Sequence, residues 1–326
     1  MNLEEFKKKI DSQIDEFIDS KIMVVPDDKD YLFLKAYFSY LKTFIKDGKR
    51  IRPFIAYITY LSFGGIANKK IINFLIFIEI FHYFCLTHDD IMDNSEQRHG
   101  LKTINLRFSP AEAILIGDYL FSWAWEIILA EELDKVKQRG VIKLFNEMID
   151  EVFLGQALDV HTAKNETVSE DLILKKTLHK TAGYTFVKPM LIGLTLANKY
   201  NYENEFLLQK IGRNLGLAFQ LQDDLLDITS DFNGKKTSLK DVSEGTHTHL
   251  TSYVTKNGTS KQKELLKKSF GKKIFNIKEL RNMFYESGAV FYGEKKIREY
   301  LIKAKELSNN YKYFLDFIDL MSQRNY

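Results

Sequence analysis

Apolar residues recur at intervals of three and four along most of this chain. Leu3, Phe6, Ile10, Ile14, Phe17 and Ile18 fall on one stripe of a helix, and Ile297, Leu301 and Ala304 repeat the pattern near the other end. Alternating patterns long enough for strands are absent. Thr167 followed by Glu170 resembles a capping box, which predicts a helix running towards Lys188 with a kink or boundary at Pro189. Breaks fall around Asp47-Gly48, Gly64-Gly65, Asn94 to Pro110 and Ser230 to Gly245. The pattern predicts an all-α protein of about ten or more helices.

The chain has 326 residues, enough for two domains, yet no Gly-, Ser- or Pro-rich linker divides it, so one domain over 1–326 is expected. The most apolar run, Ile71 to Leu86, contains Glu79 and His82 and is shorter than the roughly 20 residues of a membrane span. It reads as a buried helix, and a chain that does not span a membrane is expected. Basic residues (47) barely exceed acidic ones (44), which gives no reason to expect nucleic acid as a partner. The single cysteine, Cys85, rules out an intramolecular disulfide framework. That usage and a charged N-terminus, unlike a secretory signal, fit a cytoplasmic protein.

Two acidic clusters change the picture. Asp89-Asp90-Ile91-Met92-Asp93 closes the apolar run, and Asp89 and Asp93, four apart, share a helix face about 6 Å apart along the axis. Carboxylates at that spacing repel unless a cation intervenes, and hard oxygen donors with open positions suit Mg²⁺. Alone, such a cluster reads better as a solvated helix end. The motif recurs, however, as Asp223-Asp224-Leu225-Leu226-Asp227, after an apolar segment in which Gly212, Gly216 and Ala218 would admit a neighbouring helix closely. Two such clusters point to a metal–phosphate clamp if their helices face one another. Neither has the loop glycine and distal glutamate of an EF-hand.

Basic groups near the clusters would complete a diphosphate site. Gly48-Lys49-Arg50-Ile51-Arg52-Pro53 supplies three cations after a turn, Lys49 as a point charge and Arg52 as a planar fork. Arg98, His99 and Lys102 follow the first cluster. Lys180-Thr181 lies on the helix after the capping box, Gln220 precedes the second cluster, and Lys235 and Lys236 follow it. His82, seven residues before Asp89, falls on nearly the same helix face. Each taken singly reads as a surface charge or a core histidine.

In this order the motifs resemble the polyprenyl synthetase family of isoprenoid diphosphate synthases: Lys49/Arg52, His82, Asp89 to Asp93, Arg98, Gly117-Asp118, Gly155-Gln156, Lys180-Thr181, Gln220, and Asp223 to Asp227. The resemblance spans nearly the whole chain. It implies an orthogonal helical bundle around a central cavity, of the isoprenoid synthase type, and a homodimer. It implies that Lys49, Arg52 and His82, assisted by His99, hold isopentenyl diphosphate. Arg98, Lys180, Thr181, Gln220 and Lys235 would hold an allylic diphosphate. Asp89, Asp93 and Asp223 would be the main ligands of three Mg²⁺ ions, supported by Asp90, Asp224 and Asp227. Three departures stand out. His99 replaces the usual second arginine. Gly245-Thr246-His247-Thr248 lacks the family's lysine. The segment from Gly234 to Asp241 is a residue longer than usual, leaving Lys235, Lys236 and Lys240 as candidates for one contact.

The implied reaction ionises the allylic C–O bond, and isopentenyl diphosphate attacks the resulting cation. Walls such as Phe81, Phe84 and Phe219 would exclude water. A class I terpene cyclase would not need the Lys49/Arg52/His82 clamp, and a non-catalytic partner subunit would tend to lose a cluster. In the family, aromatic residues at the fourth and fifth positions before the first cluster limit the product. Here these positions hold Cys85 and Phe84, which resembles the geranylgeranyl (C20) type, with farnesyl (C15) the alternative.

Overall fold

The computed structural model describes residues 2–162, 168–229 and 239–323. Its fold class is all-α, as the periodicity predicts. Contacts divide the chain into two compact units, one of Met1–Lys143 with Ile192–Lys199 and one of Leu144–Leu191 with Tyr200–Tyr326.

The first unit contains α1 (Leu3–Met23), α2 (Leu32–Ile45), α3 (Ile51–Ser62), α4 (Lys69–Met92), the short α5 (Ile104–Arg107), α6 (Pro110–Ala130) and the start of α7 (Lys135–Thr162). Side-chain caps set where these helices begin. Asn2 and Glu5 form a reciprocal capping box on α1. Asn68 accepts from Ile71 at the head of α4, and Ser109 accepts from Glu112 at the head of α6. α4 packs against α6, α3 and α1, and its apolar residues point all round because neighbours cover it on several sides. The helix has 24 residues and, like α6 with 21, is long and apolar enough to cross a membrane by length and composition. The expectation of a run too short to span is thereby corrected. Of the two windows, 72% of that in α4 and 39% of that in α6 lies inside the protein. Residues 192–199 return to this unit, where Gly193 lies against the Ala56 carbonyl and Thr59.

Glu79 owes its place in this apolar helix to Arg50. Arg50 takes a left-handed conformation (φ 56°) just before α3, and its side chain is 1% exposed. Nη1 donates to Glu79 Oε1 at 2.7 Å, Nε to Asp11 Oδ1 at 2.6 Å and Nη2 to the Ile45 carbonyl at 2.6 Å. Burial works against the guanidinium charge, but Glu79, Tyr83 and Asp11 outweigh it, and the pKa is raised. Arg50 is therefore a structural cation and not one of three exposed phosphate ligands.

The second unit holds the rest of α7, then α8 (Glu170–Thr177), a π-helical segment (Leu178–Val187) and the start of α9 (Lys188–Leu196), up to Leu191. Ser169 caps α8 by accepting from Leu172, while Thr167 lies outside the described residues. Pro189 does not end the helix. The backbone changes earlier, and the Lys188 N–H reaches the Gly183 carbonyl five residues back. After α10 (Tyr202–Thr229) come α11 (Lys240–Glu244), α12 (His249–Asn257), α13 (Ser260–Ser269), α14 (Ile277–Glu286), α15 (Ala289–Leu307) and α16 (Lys312–Ser322). α10 packs on α15 and on the π-helical segment. A side chain at Gly216 would strike the backbone of Ala182, which is the close approach the α10 glycines predict.

Glu79→Ala should destabilise the protein by about 3–5 kcal/mol, because it strands a buried guanidinium. Urea or thermal unfolding followed by circular dichroism checks this, and an unchanged midpoint would remove the pair from its structural role.

Candidate active site

In the first unit the apolar α4 carries the acidic cluster to its C-terminal end. Asp93 is the C-cap, and its N–H bonds the Asp89 carbonyl at 2.8 Å, so the two residues stand one turn apart. Asp90 points the other way and is buried. A hairpin of Gln97–Arg98 and Leu101–Lys102, which the sequence pattern did not reveal, brings Arg98 to it. His99 and Gly100 turn the hairpin with φ of 51° and 80°, the signs a two-residue turn needs. Arg98 then grips Asp90 at 2.7 Å through Nη2 and 3.0 Å through Nε. Burial opposes the Arg98 charge, but Asp90 overrides it and the pKa is raised. The Asp90 oxygens are thus engaged by Arg98, whereas His99 is exposed.

Lys49 is exposed, and Arg52 Nη1 lies 2.9 Å from His82 Nε2. Burial and then the charges of Arg52 and Arg98 hold the His82 pKa well below 6.5. A neutral ring that accepts from Arg52 at Nε2 carries its proton on Nδ1. One turn before Asp89, Cys85 is buried beside an aromatic group that sequence reading saw only in part. Phe81 and Phe84 stack with centroids 5.6 Å apart, and Phe121 of α6 closes on Phe84 at 5.1 Å. Phe121 comes from another helix, so spacing along α4 could not reveal it.

In the second unit the π-helical segment carries Lys180 and Thr181. Thr181 Oγ1 donates to Gln220 Oε1 at 2.6 Å, and Gln220 Nε2 donates to Asp224 Oδ1 at 2.9 Å. Lys180 Nζ meets Asp159 Oδ2 at 2.7 Å, and Lys176 Nζ meets Asp159 Oδ1 at 2.9 Å. Gly155 permits this, since a Cβ there would fall 2.6 Å from the Lys180 nitrogen. Burial would raise the Asp159 pKa, but the two lysines outweigh it and lower it. Asp227 accepts from the backbone N–H groups of Lys240 at 2.8 Å and Asp241 at 3.0 Å, fixing the start of α11. Lys240 pairs with Glu244 at 3.3 Å, while Lys235 and Lys236 lie outside the described residues.

The second cluster is short of positive charge. Asp224 is raised from 3.8 to about 7 by burial and by Asp223 and Asp227, against the Gln220 hydrogen bond and Lys176. Asp227 is raised as well, chiefly by burial, and Asp241 well above the usual range by burial and the neighbouring carboxylates. Among the described residues no three His, Cys, Asp or Glu side chains form a ready metal cage. What the second cluster offers is hard oxygen donors with too little compensating charge, which suits an ion that keeps positions for water and phosphate oxygens.

The polyprenyl synthetase family model matches residues 34–286. This chain belongs to the polyprenyl synthetase family. The synthetase is 31% identical over 281 residues to the short chain isoprenyl diphosphate synthase of Methanocaldococcus jannaschii, covering 85% of this chain and 81% of that one. It is 31% identical over 283 residues to the geranylgeranyl pyrophosphate synthase of Geoglobus acetivorans (86% and 83% covered) and 33% identical over 224 residues to the farnesyl diphosphate synthase of Micrococcus luteus (67% and 74%). The geranylgeranyl pyrophosphate synthetase of Pyrococcus horikoshii matches its structure with a TM-score of 0.83 at 28% identity, covering 99% of both chains. The geranylgeranyl pyrophosphate synthase of Corynebacterium glutamicum, complexed with isoprenyl diphosphate and magnesium, shares the fold with a TM-score of 0.91 at 22% identity over 100% of both chains. The synthetase is a trans-prenyltransferase with the isoprenoid synthase fold.

The raised Asp224 pKa fixes the sign of a pH effect. The ionised form is disfavoured in the folded chain, so stability falls as pH rises from about 4 to about 7. In metal-free buffer the melting temperature should drop over that window, and Asp224→Asn should flatten the slope, leaving the part due to Asp227 and Asp241. Equal slopes in the two proteins would mean that Asp224 is not the titrating group.

Proposed function

We propose that this synthetase extends an allylic diphosphate with isopentenyl diphosphate to geranylgeranyl diphosphate, in a Mg²⁺-dependent reaction. The observation that carries the chain length is the aromatic trio Phe81, Phe84 and Phe121, in which Phe84 and Phe81 stand five and eight residues before Asp89 on α4 and Phe84 adjoins the small Cys85. A growing chain that passes Cys85 meets rings rather than open space. The relatives named as geranylgeranyl synthases support that length.

Asp89, Asp93 and Asp223 would hold Mg²⁺, supported by Asp90, which Arg98 grips, by Asp224, which accepts from Gln220, and by Asp227, which accepts from the Lys240 and Asp241 N–H groups. Bound Mg²⁺ would draw charge from the departing diphosphate. Lys180 and Arg98 stabilise that same charge directly, Thr181 and Gln220 orient its oxygens, and Lys235 is assigned to the same group. Lys49 and Arg52 hold isopentenyl diphosphate, and neutral His82 donates from Nδ1 with His99 assisting. The released diphosphate is the nearest base for the proton that leaves, so no protein nucleophile is used. Apolar walls keep water from the cation. We further propose one catalytic domain formed by the whole chain, a homodimer, and a cytoplasmic enzyme that does not span a membrane. Family membership and the burial of α4 support these readings.

Chromatography of products made from isopentenyl diphosphate with each short allylic primer tests the chain length. Phe84→Ala should shift the main product beyond C20, and Cys85→Phe should shorten it towards C15. An unchanged distribution in both would place the floor elsewhere. Lys49→Ala and Arg52→Ala should each raise KM for isopentenyl diphosphate by on the order of tenfold or more, with little change for the allylic substrate. Initial-rate kinetics that showed equal effects on both substrates would contradict separate subsites.

A further inference from the structure

Residues 256–279 hold eight lysines against two glutamates, while the whole chain has a net charge of only +3, so the rest of it is net acidic. All eight lysines are exposed. Glu264 is taken by Lys268 at 2.7 Å, and Lys256 pairs with Glu170 at 3.3 Å. Lys261, Lys272, Lys273 and Lys278 reach no carboxylate among the described residues. Helix electrostatics account for Lys267 and Lys268 at the C-terminal end of α13, where cations are favoured. They do not account for Lys278, in the first turn of α14, where cations are disfavoured. Between the two helices stands Ile274, 93% exposed and the most exposed large apolar side chain among the described residues. The loop that carries it is held at both ends. The Gly271 N–H donates to the Val242 carbonyl at 2.8 Å, the Phe270 ring lies 4.6 Å from that of His247, and Asn276 caps α14 by accepting from the Glu279 N–H at 3.2 Å.

We propose that this loop docks the protein reversibly on an anionic phospholipid surface, with Lys272, Lys273 and Lys278 over the headgroups and Ile274 in the acyl boundary. Lysines within a Debye length of an anionic leaflet are drawn to it, and an aliphatic side chain among them adds apolar burial. Two weak signals together give an attachment that neither gives alone. Nucleic acid would be gripped by arginines and by exposed rings stacked on its bases. Residues 256–279 contain no arginine, and their two aromatic residues, Phe270 and Phe275, are half-buried. The same loop is tied to the second acidic cluster. Val242, which holds Gly271, belongs to α11, and the first N–H groups of that five-residue helix hold Asp227. An isoprenoid diphosphate is an amphiphile, and release beside a bilayer gives its tail an apolar phase.

Co-sedimentation of the full chain with vesicles tests this, comparing pure phosphatidylcholine with equal parts phosphatidylcholine and phosphatidylglycerol. The protein should bind the anionic vesicles and not the neutral ones, and added salt should weaken binding. Lys272→Glu/Lys273→Glu should lower the partition coefficient on the order of tenfold or more. Ile274→Ser, which alters no charge, should lower it by about tenfold. Lys8→Glu/Lys9→Glu on α1 makes the same change in net charge and should bind like the parent. Thermal melting by circular dichroism confirms that each variant, altered only at exposed positions, is folded. Failure of the parent to bind anionic vesicles overturns the proposal. So does an equal loss in the α1 variant, which would assign binding to overall charge, or unchanged binding in Ile274→Ser, which would remove the insertion. Binding of single-stranded RNA of mixed sequence in place of the vesicles would give the surface to nucleic acid and likewise overturn it.

Discussion

Arg50 has Glu79, Asp11 and the Ile45 carbonyl closed around it, in a unit otherwise filled by Ile, Phe and Leu. A guanidinium can be buried only if its donors are met, and meeting them ties α1, the end of α2, the start of α3 and the middle of α4 to one point. The turn that presents Lys49 and Arg52 is set by that point. The same requirement recurs where Arg98 holds Asp90, where Lys176 and Lys180 hold Asp159, and where backbone N–H groups hold Asp227. Charge that is scarce in water contacts orders the polar parts of both units.

The π-helical segment is the corresponding device in the backbone. Its wider turns carry Lys180 and Thr181 past a neighbour on each side, α7 at Gly155 and α10 at Gly216, and both approaches leave no room for a side chain. Such segments are rare and concentrate at functional sites. Here the segment holds a lysine and a hydroxyl in fixed register with Asp159 and Gln220.

Much of this was legible in the sequence because it follows from local periodicity. The helical class, the turn-spaced Asp89 and Asp93, the tight approach at Gly216 and the adjacent places of Phe84 and Cys85 on α4 all depend on residues within a few positions. What was not legible depends on residues far apart in the chain or on backbone choices that leave no compositional mark. Arg50 reads as one more cation beside Lys49, and only its left-handed conformation turns it inward. Asp159 and Lys176 lie on different helices, and Phe121 joins Phe84 from α6. A change from i−4 to i−5 hydrogen bonding at Leu178 has no signature in residue type, and strands of two residues are too short to show a period. Ser169, two residues past Thr167, caps α8.

The discontinuity of the first unit has a consequence for how the chain is made. Residues 192–199, with Gly193 against Ala56 and Thr59 of α3, emerge from the ribosome well after α3 itself. At ordinary rates of synthesis that interval is on the order of ten seconds. Throughout it the face of α3 that receives Gly193 waits for its cover, and α4, apolar on every side, must already be sheltered by α1, α3 and α6. Until residue 192 has emerged α3 lacks that contact, so a ribosome stalled before it would carry a first unit without its last segment.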